Sequence, residues 1–265
     1  ERMPARPAVI RHPALRRVHE PHERLLPEPG EVREFSSVHT RAPEVGVWSN
    51  GNFTTVVTAA GGGFCRFGDI AVTRWREDPV RDCWGSFVYI RDVENDRLWS
   101  ASYLPVRTEP DKMSAAFELG RAVFTRVDGD VRTTMEICVS PEADAEVRRL
   151  TLQVTGGEAR VLEVTTFAEL SLASLIADES HPAFTKLFIR TGYEADSECV
   201  TAARRPRSAK EKEIWAAHTL QAEGPTLGSP EFETDRAAFL GRGRGLHNPQ
   251  AARSRLAGKT GSVAD

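Results

Sequence analysis

Val131-Arg132-Thr133-Thr134-Met135-Glu136-Ile137-Cys138-Val139 alternates along its length, with Val131, Met135, Ile137 and Val139 on one face. Successive side chains of a strand point to opposite faces, so this period reads as a half-buried β-strand. Asp128-Gly129 turns the chain into it and Ser140-Pro141 breaks it off. Working outward, Phe117 to Val127 reads as the preceding strand. Val147 to Thr155 and Arg160 to Leu170 follow, joined by Gly156-Gly157. Upstream, Trp48-Ser49-Asn50-Gly51-Asn52-Phe53 sets Asn-Gly between apolar neighbours, a hairpin signal whose turn needs two residues at positive φ. Phe53 to Thr58 is a β-branched strand ended by Gly61-Gly62-Gly63, and Glu94-Asn95-Asp96 turns Phe87-Val88-Tyr89-Ile90 into Leu98-Trp99-Ser100. Long antiparallel strands with tight turns predict an all-β fold, a β-sandwich.

The flanks are less regular. Residues 1–44 read as an irregular arm or linker punctuated by Pro4, Pro7, Pro13, Pro21, Pro27 and Pro29, and residues 45–265 as the β-domain. Beyond Leu170 a polar segment carries Asp178-Glu179-Ser180-His181-Pro182. Phe184 to Ile189, Cys199 to Ala203 and Trp215 to Gln221 each read as a strand, with a helical turn over Ser208 to Ile214. Near the end, a short helix over Pro249 to Leu256 is expected, capped by Asn248.

Composition bounds the function. The 265 residues hold 35 basic and 38 acidic side chains, so there is no electrostatic case for nucleic acid or an anionic membrane. No apolar run approaches a membrane span, and the first residues lack the apolar segment of a secretory signal, which points to the cytoplasm; position 1 is Glu and not an initiator Met, which points to a piece of something longer. Cys65, Cys83, Cys138 and Cys199 are widely separated, so free thiols are expected and a metal site is not.

The densest chemistry lies in Val72-Thr73-Arg74-Trp75-Arg76-Glu77-Asp78-Pro79, closed by Asp82-Cys83-Trp84-Gly85. Trp75 and Trp84 offer faces on which a sugar stacks, beside arginines that fix hydroxyls or carboxylates. The simpler reading is that Arg74, Arg76, Glu77 and Asp78 pair among themselves and pin a loop onto the sandwich. Alternate residues of a strand face opposite ways, so the four cannot all serve one ligand. Glu163, Glu169 and Asp178 have the chemistry of a glycosidase pair, but nothing singles them out and most are expected in solvent. Gly61-Gly62-Gly63 lacks the Lys-Ser/Thr of a phosphate loop and reads as a turn.

Trp48-Ser49-Asn50-Gly51, the triglycine turn, Val72 through Asp78, Tyr89-Ile90-Arg91-Asp92, Leu98-Trp99-Ser100 and Val139-Ser140-Pro141, in this order, resemble the amino-terminal β-domain of glycoside hydrolase family 94. His181-Pro182-Ala183-Phe184, Arg204-Arg205-Pro206-Arg207-Ser208 and Phe232-Glu233-Thr234-Asp235-Arg236 through Arg244 look like segments of its cyclic β-1,2-glucan synthase group. The likeness runs from about Val45 to the end of the chain. It implies an antiparallel β-supersandwich, galactose mutarotase-like, truncated at its C-terminal end and preceding an (α/α) barrel. The barrel would carry the catalytic aspartate, with inorganic phosphate as co-substrate and no cofactor. No position here receives that aspartate, so the chain by itself is expected to be inactive. The partners implied are a β-glucan or oligosaccharide, the chain's own barrel and a second copy in a homodimer. The site contribution implied is the loop of His181, Phe184 and Lys186, with Phe184 as a stacking face and Lys186 as a hydroxyl or phosphate contact; read from the residues alone, a buried Phe and a solvated Lys are the simpler assignments. A different class remains beside it, a self-standing carbohydrate-binding module stacking glucan on Trp75, Trp84 or Trp99.

Overall fold

A computed structural model describes residues 32–78, 80–208, 211–261 and 263. The strands are β1 (Arg33–Phe35), β2 (Val45–Ser49), β3 (Phe53–Thr58), β4 (Gly63–Phe67), β5 (Ile70–Thr73), β6 (Phe87–Asp92), β7 (Arg97–Ser100), β8 (Lys112–Phe117), β9 (Ala122–Asp128), β10 (Val131–Val139), β11 (Glu146–Val154), β12 (Leu162–Phe167), β13 (Leu170–Ser174), β14 (Ile189–Glu194), β15 (Cys199–Arg204) and β16 (Ile214–Thr219). The helices are short: α1 (Leu175–Ser180), α2 (Pro182–Lys186) and α3 (Arg236–Leu240).

The pairings described are antiparallel and form four sheets, ordered β1-β8-β9-β10-β11, β12-β6-β7, β13-β5-β4-β3-β2 and β14-β15-β16. The expected all-β antiparallel sandwich is what forms. Val131, Met135 and Ile137 point into its main core, where with Phe117 and Phe124 of the same sheet they meet Trp48, Val57, Ile90 and Trp99 from two other sheets. Trp48 lies over Gly46, where an added Cβ would stand 2.2 Å from the indole, and edges onto Phe117. A bare glycine is what admits the ring.

β6 is buried on both faces. Val88 and Ile90 face the main core, whereas Phe87 and Tyr89 face a second cluster with Phe239, Leu240, Ala251 and Ala252. The carboxy-terminal segment is thereby packed on the outside of the sheet, and the Tyr89 hydroxyl donates to the Leu246 carbonyl at 2.9 Å. Tyr89→Phe removes that bond while keeping the ring, and is expected to lower stability by about 1 kcal/mol. A reduced urea midpoint at unchanged slope would show it.

Several local expectations are corrected. The Asn50-Gly51 hairpin forms, but only Gly51 of the pair has positive φ, at 99°. Asn50 instead accepts the N–H groups of Asn52 and Phe53 on Oδ1, an Asx-type turn, and its amide donates to the carbonyls of Ser140 and Ala143. Phe117 to Val127 is two strands, because the chain reverses at Glu118, whose N–H donates to the Arg121 carbonyl. Gly156-Gly157 joins strands of different sheets rather than a hairpin. Arg160 to Leu170 bends at Ala168-Glu169, so that β12 pairs with β6 and β13 with β5. Phe184 lies in α2, not in a strand. The carboxy-terminal helix shrinks to one 3₁₀ turn, Gln250–Ala252, and Asn248 accepts from Arg253 instead of capping it. Within the expected arm, residues 1–31 lie outside the described residues, while Arg33–Phe35 pair with β8 at the sheet edge. The expected turn over Ser208 to Ile214 lies partly outside them too.

A charged pair on β9 also sits in the interior. Phe124, Arg126 and Asp128 fall on the core face of β9, and Arg126 and Asp128 are 1% and 2% exposed. Arg126 holds both oxygens of Asp128 and donates further to the carbonyls of Ser102 and Thr108.

Candidate functional site

Where β13 leaves the sheet, Ser174 caps α1 by accepting the Ala177 N–H. Pro182 stands in the first turn of α2, where a missing N–H costs nothing. The residue before a proline is held away from helical backbone, so His181, at φ −143° and ψ 67°, breaks the path between the two helices. The result is a sharp helical corner over residues 175–186. Asp178, Thr185 and Lys186 turn inward, while Ile176, Phe184 and Leu187 stay exposed.

The inward side chains are clamped by the arginines of the Trp75 run. Arg74 reaches both oxygens of Asp178 through Nε, at 3.2 and 3.1 Å, and through Nη2 at 2.6 Å. Its Nη1 meets Glu169 at 3.0 Å, and Nη2 also donates to the Pro182 carbonyl. Arg76 adds an ion pair to Asp178 at 2.8 Å and a bond to the Asp178 carbonyl. Thr185 donates to Asp178, Lys186 lies 3.2 Å from Glu169, and Arg236 pairs with the other Glu169 oxygen. Burial raises the Asp178 carboxyl's pKa, but hydrogen bonds and charge from Arg74 and Arg76 outweigh it and leave it below the ordinary value.

This reverses several expectations about charge. Arg74 and Arg76 do pin a loop, but onto Asp178 and Glu169, about a hundred residues away in sequence, rather than onto Glu77 and Asp78. Glu169 and Asp178 are buried anions of this clamp, not solvated carboxylates. Asp178 is ionised and saturated with donors, so it has no proton to give a leaving group. Lys186 is 3% exposed and ion-paired rather than solvated, because only a carboxylate partner makes a buried ammonium tolerable.

Of the sequence-predicted site residues, His181, Phe184 and Lys186 share the corner. His181 is exposed at its apex, and Lys186 is turned into the clamp. Phe184 is 45% exposed and not buried; it edges onto Phe188, and Arg207 lies 5.2 Å from its ring centroid. Trp75 and Trp84 have other surroundings. Trp75 packs on Phe64 at 5.3 Å, and half-buried Trp84 accepts the Gly63 N–H on its carbonyl. Trp99 is 2% exposed in the main core and unavailable for stacking. Arg204, Arg205 and Arg207, which gather around Phe188 beside the corner, stood in the sequence only as part of a family-like segment with no role assigned. The four cysteines are free, and among the described residues no cluster of three His, Cys, Asp or Glu side chains is placed to hold a metal. No helix among them is long and apolar enough to cross a membrane.

A family model described as the glycosyl hydrolase 94 supersandwich domain matches residues 29–265. The chain belongs to glycoside hydrolase family 94. It is 38% identical over 216 residues to the cyclic β-(1,2)-glucan synthase of Rhizobium meliloti, an overlap covering 82% of this chain and 8% of that protein. It is 24% identical over 171 residues to N,N'-diacetylchitobiose phosphorylase of Vibrio proteolyticus, covering 61% and 21%. To cellobionic acid phosphorylase of Neurospora crassa it is 29% identical over 177 residues, covering 64% and 20%. The matched region is thus a small part of each of these family 94 relatives.

Proposed function

We propose that this supersandwich domain is the non-catalytic β-domain of a glucan-processing enzyme, supporting an (α/α) barrel and presenting the 175–186 corner to the barrel's sugar cleft. The observation that carries the reading is the clamp itself. Arg74, Arg76, Asp178, Glu169 and Lys186 fix a short helical corner whose outward side chains, His181 and Phe184, are exposed. Immobilising the backbone in advance lets a stacking ring meet a sugar with little further loss of freedom. Nothing in the clamp is arranged for proton transfer, so the corner orients and the barrel reacts. β-1,2-linked glucose chains are the proposed substrate, and inorganic phosphate the proposed co-substrate, of the whole enzyme.

The chain alone is expected to release no glucose 1-phosphate from β-1,2-glucan and phosphate, whereas the same chain joined to its barrel releases it. Turnover by the chain alone would sink the reading. In the joined enzyme, Phe184→Ala is expected to raise KM for the glucan roughly tenfold, about 1.4 kcal/mol, with kcat little changed. An unchanged KM would remove the corner from the cleft.

A further inference from the structure

Two neighbouring cavities lie where residues 38–44 pass over the β3–β4 turn. One, of about 280 Å³, is walled by His39, Asp82, Tyr103 and Arg107 among others. The second, of about 190 Å³, is walled by Val56, Phe64, Trp75 and Asp78 among others. Pro43, Thr58 and Asp82 line both, so the two form one groove with Asp82 at its middle.

The walls are held in place from behind. Asp82 sits at φ 41° and Arg107 at φ 63°, left-handed backbone that non-glycine residues keep only where their surroundings compel it. Thr58 donates its hydroxyl to Asp82 at 3.1 Å, and a Cβ on Gly62 would stand 2.8 Å from the Asp82 carboxyl oxygen. The triglycine turn therefore makes room for this carboxyl. Burial raises its pKa, as expected for a group half withdrawn from water. The loop carrying Tyr103 and Arg107 is fixed at both ends by buried Arg126, through the Ser102 carbonyl at 2.6 Å and the Thr108 carbonyl at 3.2 Å. Tyr103 is steadied by its hydroxyl on Glu109, which His39 also meets.

The chemistry of the groove is two-sided. The larger half offers a carboxylate beside a guanidinium, an arrangement that accepts from one sugar hydroxyl and donates to its neighbour. The smaller half offers an indole and aliphatic side chains, a surface for the apolar face of a pyranose ring. The four arginines that line the groove balance its four carboxylates, so its walls carry no formal net charge to draw an anion and suit a neutral ligand. We propose that this groove binds a neutral glucan through two adjacent pyranose units, one against Trp75 and the other held by Asp82 and Arg107. The sugar class rests on the function proposed above, but the groove binds whether or not the 175–186 corner borders a cleft.

The test is a titration of the 265-residue chain with a linear β-1,2-linked glucotriose, read by calorimetry and tryptophan fluorescence. Saturable binding is expected. Trp75→Ala and Asp82→Asn should each weaken it by about tenfold or more, while Trp215→Ala, at an exposed position of β16, leaves it unchanged. Asn keeps the size of Asp and tolerates its backbone. Should Trp75→Ala fail to fold, Arg107→Gly relaxes a strained position and is expected to weaken binding similarly. A flat titration of folded protein, affinity undiminished in these variants, or displacement by inorganic phosphate overturns the proposal. So does binding that only Phe184→Ala abolishes, which would place the sugar on the corner.

Discussion

Replacing Asp178 by alanine lowers the stability of the domain by about 3–5 kcal/mol. The carboxylate is 1% exposed and receives two guanidiniums, Arg74 and Arg76, together with the Thr185 hydroxyl. Removing it leaves Arg74, 6% exposed, with donors that water does not reach and a charge balanced only by Glu169. Glu77→Ala, at an exposed position on the same loop that carries the arginines, is expected to change stability by less than about 0.5 kcal/mol, the range of ordinary surface substitutions. Urea denaturation of both variants checks the contrast, and an Asp178 effect below about 1 kcal/mol would show that the clamp does not hold the corner.

The same carboxylate makes the domain acid-sensitive. Its folded pKa lies below its unfolded value, so its contribution is complete above the ordinary Asp range, about 3.9, and is lost as pH falls through the folded pKa. Wild-type stability is therefore expected to fall below about pH 4, and Asp178→Asn to fall less steeply over that interval. Parallel acid limbs in the two proteins would contradict the assignment.

Arg126→Met is expected to cost about 3–5 kcal/mol, although the side chain keeps its length and apolar stem. Asp128 would then be a buried anion without its cation, and the Ser102 and Thr108 carbonyls would lose their donors. The double replacement Arg126→Met with Asp128→Leu should be markedly less destabilising than the sum of the two single changes, because it removes the charge and its partner together. Additivity of the three free energies would mean that the two groups do not act as a pair.

Part of this site was readable in the sequence. The segment holding His181 and Pro182 read as polar and irregular, and Arg74, Trp75 and Arg76 stood out as the densest chemistry of the chain. Which carboxylates those arginines meet was not readable. Glu169 and Asp178 are joined to them by the pairing of β13 with β5, a contact across about a hundred residues that no local spacing reports. The inward turn of Lys186 was hidden for the same reason. A lysine's exposure depends on whether a partner lies beneath it, and that partner, Glu169, sits at the corner between β12 and β13. Arg126 was missed although the period of β9 places it inward, in register with Phe124. A charged residue at a core position reads as an error in the alternation until its partner Asp128, also on that face, is seen.

The sequence by itself determined the sandwich. Alternation at β10, turns at Gly129 and Gly51, and family segments in a fixed order are all local, and local patterns follow from backbone geometry and side-chain polarity alone. Tertiary structure decided where strands change sheet, which charges are buried, and that Trp75 lines a groove while Trp99 fills the core. Those outcomes depend on which surfaces are pressed together. Desolvation and ion pairing act only between groups that the fold has already brought within reach.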